Sequence, residues 1–175
     1  ADTNGTTVTF WHSMGGVNGE AMDYLVNKFN EENTDGITVE AVYQGEYDDT
    51  INKLKSAQIG NMGADLVQIY DLGTRFMNDS GWVIPMQEMI DADGYDISQI
   101  EPNVAAYYTT KDGNMYSMPF NSSTPLLYYN KDMFEAAGIT EVPASLPEIA
   151  EIGDALMNEG GAQEVLAIGI YGWYF

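Results

Sequence analysis

The chain has 175 residues, 45% of them hydrophobic and none of them cysteine, so a core burying about 70% of the unfolded surface is expected while disulfides, thiolate zinc sites and thiol catalysis are excluded. With 27 Asp plus Glu against 6 Lys plus Arg the formal charge is -21. That field repels nucleic acid and anionic lipid head groups, which removes nucleic-acid binding from the functions to consider.

No run of eighteen or more apolar residues occurs, so no segment reads as a membrane-spanning helix. The start at Ala1, without a Met or a basic-then-apolar leader, reads as a mature or engineered N-terminus. Thr7 to Trp11 (TVTFW) reads as a buried strand and His12 to Gly19 (HSMGGVNG) as the loop after it. From Glu20 to Asn33, Met22, Leu25, Val26 and Phe29 fall on one face at spacings of three and four, which predicts an amphipathic helix. Ile37 to Tyr43 (ITVEAVY) alternates at the strand period. Strand, helix, strand is a βαβ opening, which favours a parallel sheet with right-handed crossovers.

Gln44 to Tyr47 forms the next loop, with Asp48 as expected N-cap of a helix carrying Ile51, Leu54 and Ile59 and ending at Gly60. Asp65 to Tyr70 (DLVQIY) is the third expected strand, with Asp71 just past its carboxyl end, where open α/β sheets bind ligands. Short helices are expected around Arg75 to Met77, Pro85 to Ile90 and Glu101 to Tyr108. Between Pro119 and Pro125 the tetrad Asn121, Ser122, Ser123 and Thr124 forbids helix, and the β-rich Leu126 to Tyr129 belongs in a sheet. This stretch therefore leaves one body and enters another, dividing the chain into 1–123 and 124–175. Beyond it, Asp132 to Ala137 and Leu146 to Glu159 read as helices and Val165 to Ile170 (VLAIGI) as a strand. An apolar strand so close to the chain end needs neighbours, so the sequence reads as an N-terminal fragment whose unpaired strands favour a dimer.

Little in the residue types points to catalysis. The single His12 has no second His or Cys with which to share a metal and no G-x-S-x-G serine to activate, so it reads as structural or cleft-lining. Asp91, Asp93 and Asp96 suggest a calcium loop, but Pro102 stands where the twelfth-position Glu is required, leaving an acidic turn. Among 27 acids some pair satisfies any glycosidase spacing, so that signal discriminates nothing. A carbohydrate-active enzyme with paired carboxylates and a ligand-free surface scaffold stay open as alternatives to a binding protein.

Five segments, TFWHSMGG, YQGEYDD, QIYDLGT, PFNSSTPLLYYNKDMFEAAG and GIYGW, fall at loops. Together they resemble the extracellular solute-binding proteins of ATP-driven (ABC) importers, carbohydrate-type family 1, and the FWHSM and PFNSSTP pieces resemble the glycerol-3-phosphate-binding members. The resemblance implies an α/β protein of type II periplasmic-binding architecture, with two lobes hinged about a cleft. It implies no enzyme activity, cofactor or metal. The implied ligand is a small sugar, oligosaccharide or glycerol-phosphate compound, passed to importer membrane subunits from a membrane-anchored position outside the cytoplasm.

Carried over by position, the resemblance puts Tyr47, Asp71 and Ser123 on the first-lobe wall and Trp173 near the second, while Trp11 and Ser13 on the first loop line the same cleft. Asp71 stands where the glycerol-phosphate binders carry Glu, and a shorter acid reaches less far. The residue types suit such a ligand, because aromatic rings cover C–H faces of a polyol while carboxylate and hydroxyl groups hold its rim. Read without the resemblance, Tyr47 and Trp11 are more often packing residues, Asp71 equally a helix cap, and Ser123 a satisfier of local backbone groups.

Overall fold

The structure, a computed structural model, describes residues 5–60 and 62–168. The chain divides into two compact units between Pro119 and Phe120.

The first unit is built on β1 (Thr6–His12), which lies between β2 (Ile37–Tyr43) and β3 (Leu66–Val67) in a parallel sheet of order β2-β1-β3. Thr6 pairs with Ile37 and His12 with Tyr43 at the two ends of the β1–β2 ladder, and Phe10 pairs with Leu66. The third strand is shorter than the expected Asp65–Tyr70. Backbone bonds flank its two ladder residues, Asp65 N to Thr9 O at 3.1 Å and Gln68 N to Trp11 O at 2.8 Å, after which the chain turns off into a 3-10 turn at Asp71–Gly73. That turn packs closely on its surroundings. A Cβ on Gly73 would lie 2.6 Å from Ile69 Cγ2 and 2.9 Å from Ile51 Cδ1.

Helix α1 (Gly16–Glu32) starts four residues before the expected Glu20, so the loop after β1 shrinks to Ser13–Gly15. Its glycines hide this start from propensity, since Gly is a poor helix former, yet Gly19 N reaches Gly15 O at 3.2 Å. Of the expected apolar face, Met22 is buried and Val26 half-buried, whereas Leu25 and Phe29 are exposed. Asn30 ties the helix to the outer side of β2, donating to Val39 O at 2.9 Å and accepting from Val39 N at 2.8 Å. One amide thereby satisfies both backbone groups of an edge-strand residue.

Helix α2 (Tyr47–Ile59) buries Thr50, Ile51 and Leu54. Its N-cap is Glu46 rather than Asp48: Glu46 N donates to Asp49 Oδ2 at 3.0 Å, and Asp48 lies inside the first turn where its charge suits the helix dipole. Helices α3 (Thr74–Ser80), α4 (Met86–Asp93) and α5 (Pro102–Tyr107) follow. Asp91 and Asp93, expected in an acidic turn, belong to the end of α4, while Asp96 Oδ1 accepts Ser98 N at 2.9 Å. Met14, Met22, Met77 and Met115 join Ile51, Leu54 and Ile90 as the buried apolar residues of this unit. Flexible thioethers suit gaps between short, irregular helices.

The second unit holds α6 (Lys131–Ala136) and α7 (Leu146–Asn158) around Phe134, Ala137 and Leu156. Asn130 Oδ1 accepts Met133 N at 3.1 Å to cap α6, and Ala144 N donates to Glu148 Oε2 at 2.9 Å ahead of α7. The bond from Ala144 N, with that from the Ser145 hydroxyl to Glu148 Oε1 at 2.8 Å, holds the Glu148 carboxyl below the usual range. Leu126 to Tyr129 forms no strand, contrary to expectation, although Tyr129 packs on Phe134 at 4.8 Å. Nor do Val165 to Ile168 form one; Gly169 and Ile170 lie outside the described residues. In both cases β propensity is present but the described residues of the unit supply no strand to pair with, and propensity alone does not make a ladder.

Candidate functional site

The three described strands of the first unit run in one direction, so the loops after β1, β2 and β3 emerge at one sheet edge, at Ser13, Gln44 and Gln68. Polar bonds tie these loops to one another and to α2. Ser13 N donates to Gln68 Oε1 at 3.0 Å, Gln44 N to His12 O at 2.9 Å, and Lys53 Nζ to Gln44 O at 2.6 Å. The hydroxyls of Ser13 and Thr50 lie 2.6 Å apart, with Ser13 7% and Thr50 0% exposed. Ser13 was expected to line a cleft; instead its hydroxyl joins the loop after β1 to α2.

His12 is buried, its Nδ1 accepting Met14 N at 3.3 Å, between the rings of Phe10 and Tyr43. Burial pulls its pKa down, the Asp23 charge opposing, so the neutral ring is favoured. Trp11 lies inside β1 rather than on the following loop. It is half-buried and in register with Val42 and Val67.

Tyr47, the first residue of α2, has its ring stacked on Tyr70 with centroids 5.2 Å apart and planes at 3°. The Tyr70 hydroxyl donates to Asp48 Oδ1 at 2.7 Å, and Asp71 Oδ1 accepts Leu72 N at 2.9 Å. The hydrogen bond to Asp48, then partial burial, then the Asp48 and Asp71 charges push the Tyr70 phenol pKa up. On α5 the Tyr107 phenol is likewise pushed up, by partial burial first and by Asp71 next. Tyr47 and Asp71 are thus brought together through Tyr70, at the carboxyl edge of the sheet. Half-exposed aromatic rings stand there beside the Asp71 carboxyl group, a combination that accepts hydroxyl protons and covers C–H faces.

Two cations are engaged elsewhere: Arg75 pairs with Asp79 at 2.5 Å and Lys55 sits over Phe76 at 4.7 Å. Ser123 lies exposed in the irregular start of the second unit. Trp173 lies outside the described residues. The sequence reading gave none of Thr50, Gln68, Asp48, Tyr70 and Tyr107 a part in the site; the side-by-side Tyr–Asp pairs at 47–48 and 70–71 were the available signal.

The second unit offers a shallow groove beside α7, lined by Leu146, Ile149, Met157, Val165 and Leu166 with Asp154. Its apolar lining does not suit a hydroxyl-rich ligand.

Residues 15–175 match the family model described as bacterial extracellular solute-binding protein. The chain belongs to this family. Among curated solute-binding relatives, the sn-glycerol-3-phosphate-binding periplasmic protein UgpB of Salmonella typhimurium is 39% identical over 174 residues, 96% of this chain and 39% of the relative. UgpB of Brucella abortus is 36% identical over 162 residues, 90% of this chain and 37% of the relative. The chain therefore spans about two fifths of the length of these relatives. The crystal structure of Mycobacterium tuberculosis UgpB in complex with glycerophosphocholine matches with TM-score 0.73 and 28% identity, over 87% of this chain and 39% of that one. The cyclic alpha-maltosyl-1,6-maltose binding protein of Arthrobacter globiformis shares the fold, with TM-score 0.69 and 21% identity over 90% of this chain and 40% of that one. The α/β class and type II solute-binding architecture expected from the sequence are those of these neighbours.

Proposed function

We propose that the protein carrying this chain is the substrate-binding component of an ABC importer. It captures a small polyhydroxylated solute, a sugar, an oligosaccharide or a glycerol-phosphate compound, outside the cytoplasm and delivers it to importer membrane subunits. It binds and releases without chemistry, held at the membrane by an anchor. The observation that carries this reading is the meeting of Tyr47, Tyr70 and Asp71 at the carboxyl edge of the parallel sheet, within a solute-binding family.

In this reading Tyr47 covers a C–H face of the solute and Asp71 accepts its hydroxyl protons, bonds strengthened by the carboxylate charge. Ser123 and Trp173 supply further contacts from residues past Pro119, with residues 1–123 belonging to the first lobe and 124–175 to the crossover and second lobe. Trp11 borders the site from within β1. Ser13 serves it through the hydroxyl pair with Thr50. The similarity to UgpB proteins supports a glycerol-phosphate ligand. The shorter Asp71 favours a bulkier polyol in the same place.

The test is a thermal-shift screen of the full-length protein against glycerol 3-phosphate, glycerophosphocholine and a panel of mono- and oligosaccharides. A ligand at a hundred times its Kd adds about 2.7 kcal/mol of stability, a shift of several degrees. Stabilisation by any of these compounds, lost in Tyr47→Ala, is the expected result. Stabilisation by none of them overturns the reading.

A further inference from the structure

Tyr70 has no part in the ligand set the sequence suggested, yet its ring, hydroxyl and backbone are all held at the sheet edge. Its ring lies flat against Tyr47, 5.2 Å away and 3° from parallel. Its hydroxyl is held by Asp48 Oδ1 at 2.7 Å, and Asp48 is the residue next to Tyr47 in the first turn of α2. The two ends of Tyr70 are thereby fixed to two consecutive residues of one helix. Its backbone is fixed too, since Tyr70 O accepts Gly73 N at 2.9 Å to close the 3-10 turn.

A tyrosine at a helix N-terminus has rotamer freedom about two side-chain torsions, and a ligand that uses its face must immobilise it. The stack removes that freedom beforehand and covers one face of Tyr47, and the bond to Asp48 stops Tyr70 from sliding away. Parallel rings in contact are otherwise free to slip, because offset arrangements are close in energy.

We propose that Tyr70 and Asp48 form a positioning pair that presets the Tyr47 ring as a platform for the solute. The pair acts through Tyr47 and touches no solute itself. The proposal rests on the binding role given to Tyr47 above, and deepens it.

The experiment is titration calorimetry on the full-length protein with glycerol 3-phosphate, glycerophosphocholine and maltose as probes, for Tyr47→Ala, Tyr70→Phe, Asp48→Ala, Asp48→Asn and the double variants Tyr47→Ala/Tyr70→Phe and Asp48→Ala/Tyr70→Phe. Tyr70→Phe keeps the ring and folds as the parent does, removing only the hydroxyl. Tyr70→Phe and Asp48→Ala each weaken binding about fivefold, the worth of one hydrogen bond. Together they cost no more than either alone, because both remove the same bond. Asp48→Asn binds like the parent, since the amide oxygen still accepts the phenol proton. In the Tyr47→Ala background Tyr70→Phe has no further effect.

Equal weakening by Tyr70→Phe in both backgrounds overturns positioning and leaves a general packing role. Parent-like binding of Tyr70→Phe and Asp48→Ala, beside weakened Tyr47→Ala, overturns the proposal and leaves the binding site standing. Parent-like binding of Tyr47→Ala, or a parent protein silent to all three probes, overturns the binding site itself and the proposal with it.

Discussion

Replacing Thr50 by valine deletes one hydroxyl and preserves the shape of the side chain. Thr50 is 0% exposed, and its Oγ1 lies 2.6 Å from Ser13 Oγ and 3.4 Å from Glu46 O. The arrangement that satisfies both hydroxyls has Thr50 donating to the carbonyl one turn back and Ser13 donating to Thr50. In Thr50→Val the Ser13 hydroxyl loses its acceptor at a site only 7% exposed. An orphaned buried hydroxyl costs about 1–3 kcal/mol, so Thr50→Val falls in that range. Ser13→Ala costs less, about 0.5–1.5 kcal/mol, because Thr50 keeps Glu46 O as a partner. The double variant Ser13→Ala/Thr50→Val is no less stable than Thr50→Val alone, since no hydroxyl is left stranded. Urea unfolding midpoints followed by tryptophan emission read all three. An unchanged Thr50→Val, or a double variant whose loss is the sum of the two, would refute the account of the hydroxyl pair.

Other expectations follow from single contacts. Gly160→Ala places a Cβ 2.7 Å from Met133 O and 2.8 Å from Leu156 O, both backbone atoms, and destabilises the second unit by about 1–3 kcal/mol; hydrogen exchange should speed up in α6 and α7 and not in α1. Asn30→Ala strips two bonds from Val39 and loosens the β2 edge, with faster exchange of the Val39 amide. The Tyr70 phenol, its pKa raised by Asp48, ionises later than ordinary tyrosines in a titration at 295 nm. Its folded value lies above the unfolded one, so its contribution is complete below about pH 10 and fades as pH rises through the folded value. Asp48→Asn brings that ionisation earlier.

The βαβ opening was legible because Ile37–Ala41 alternates apolar and polar and a turn follows the strand, and the helices α2 and α7 because their apolar spacing is regular. The loop motifs and the parallel βαβ reading pointed to loops sharing one edge, where the structure has Tyr47 and Asp71. What sequence hid was set by partners far along the chain. Ser13 is taken up by Thr50, 37 residues away, and Tyr70 by Asp48, 22 residues away. No local pattern announces such pairs, since Ser, Thr and Tyr look alike whether they face a ligand or one another. Leu126–Tyr129 failed for the opposite reason: its residues favour a strand, and a strand exists only where a second one meets it. The cap of α2 fell to Glu46 because the acids Glu46, Asp48 and Asp49 compete within four positions; a local capping box joins Glu46 to Asp49, while Tyr70 takes up Asp48.

The central claim is that the carboxyl edge of the first unit holds the solute. Hydrogen exchange of the full-length protein, with and without a saturating ligand from the screen, tests it most directly. The account predicts slowed exchange at 44–48 and 68–73, where Tyr47 and Asp71 stand, with residues 146–166 of the α7 groove unchanged. Protection confined to that groove, with the sheet edge exchanging as before, would contradict it.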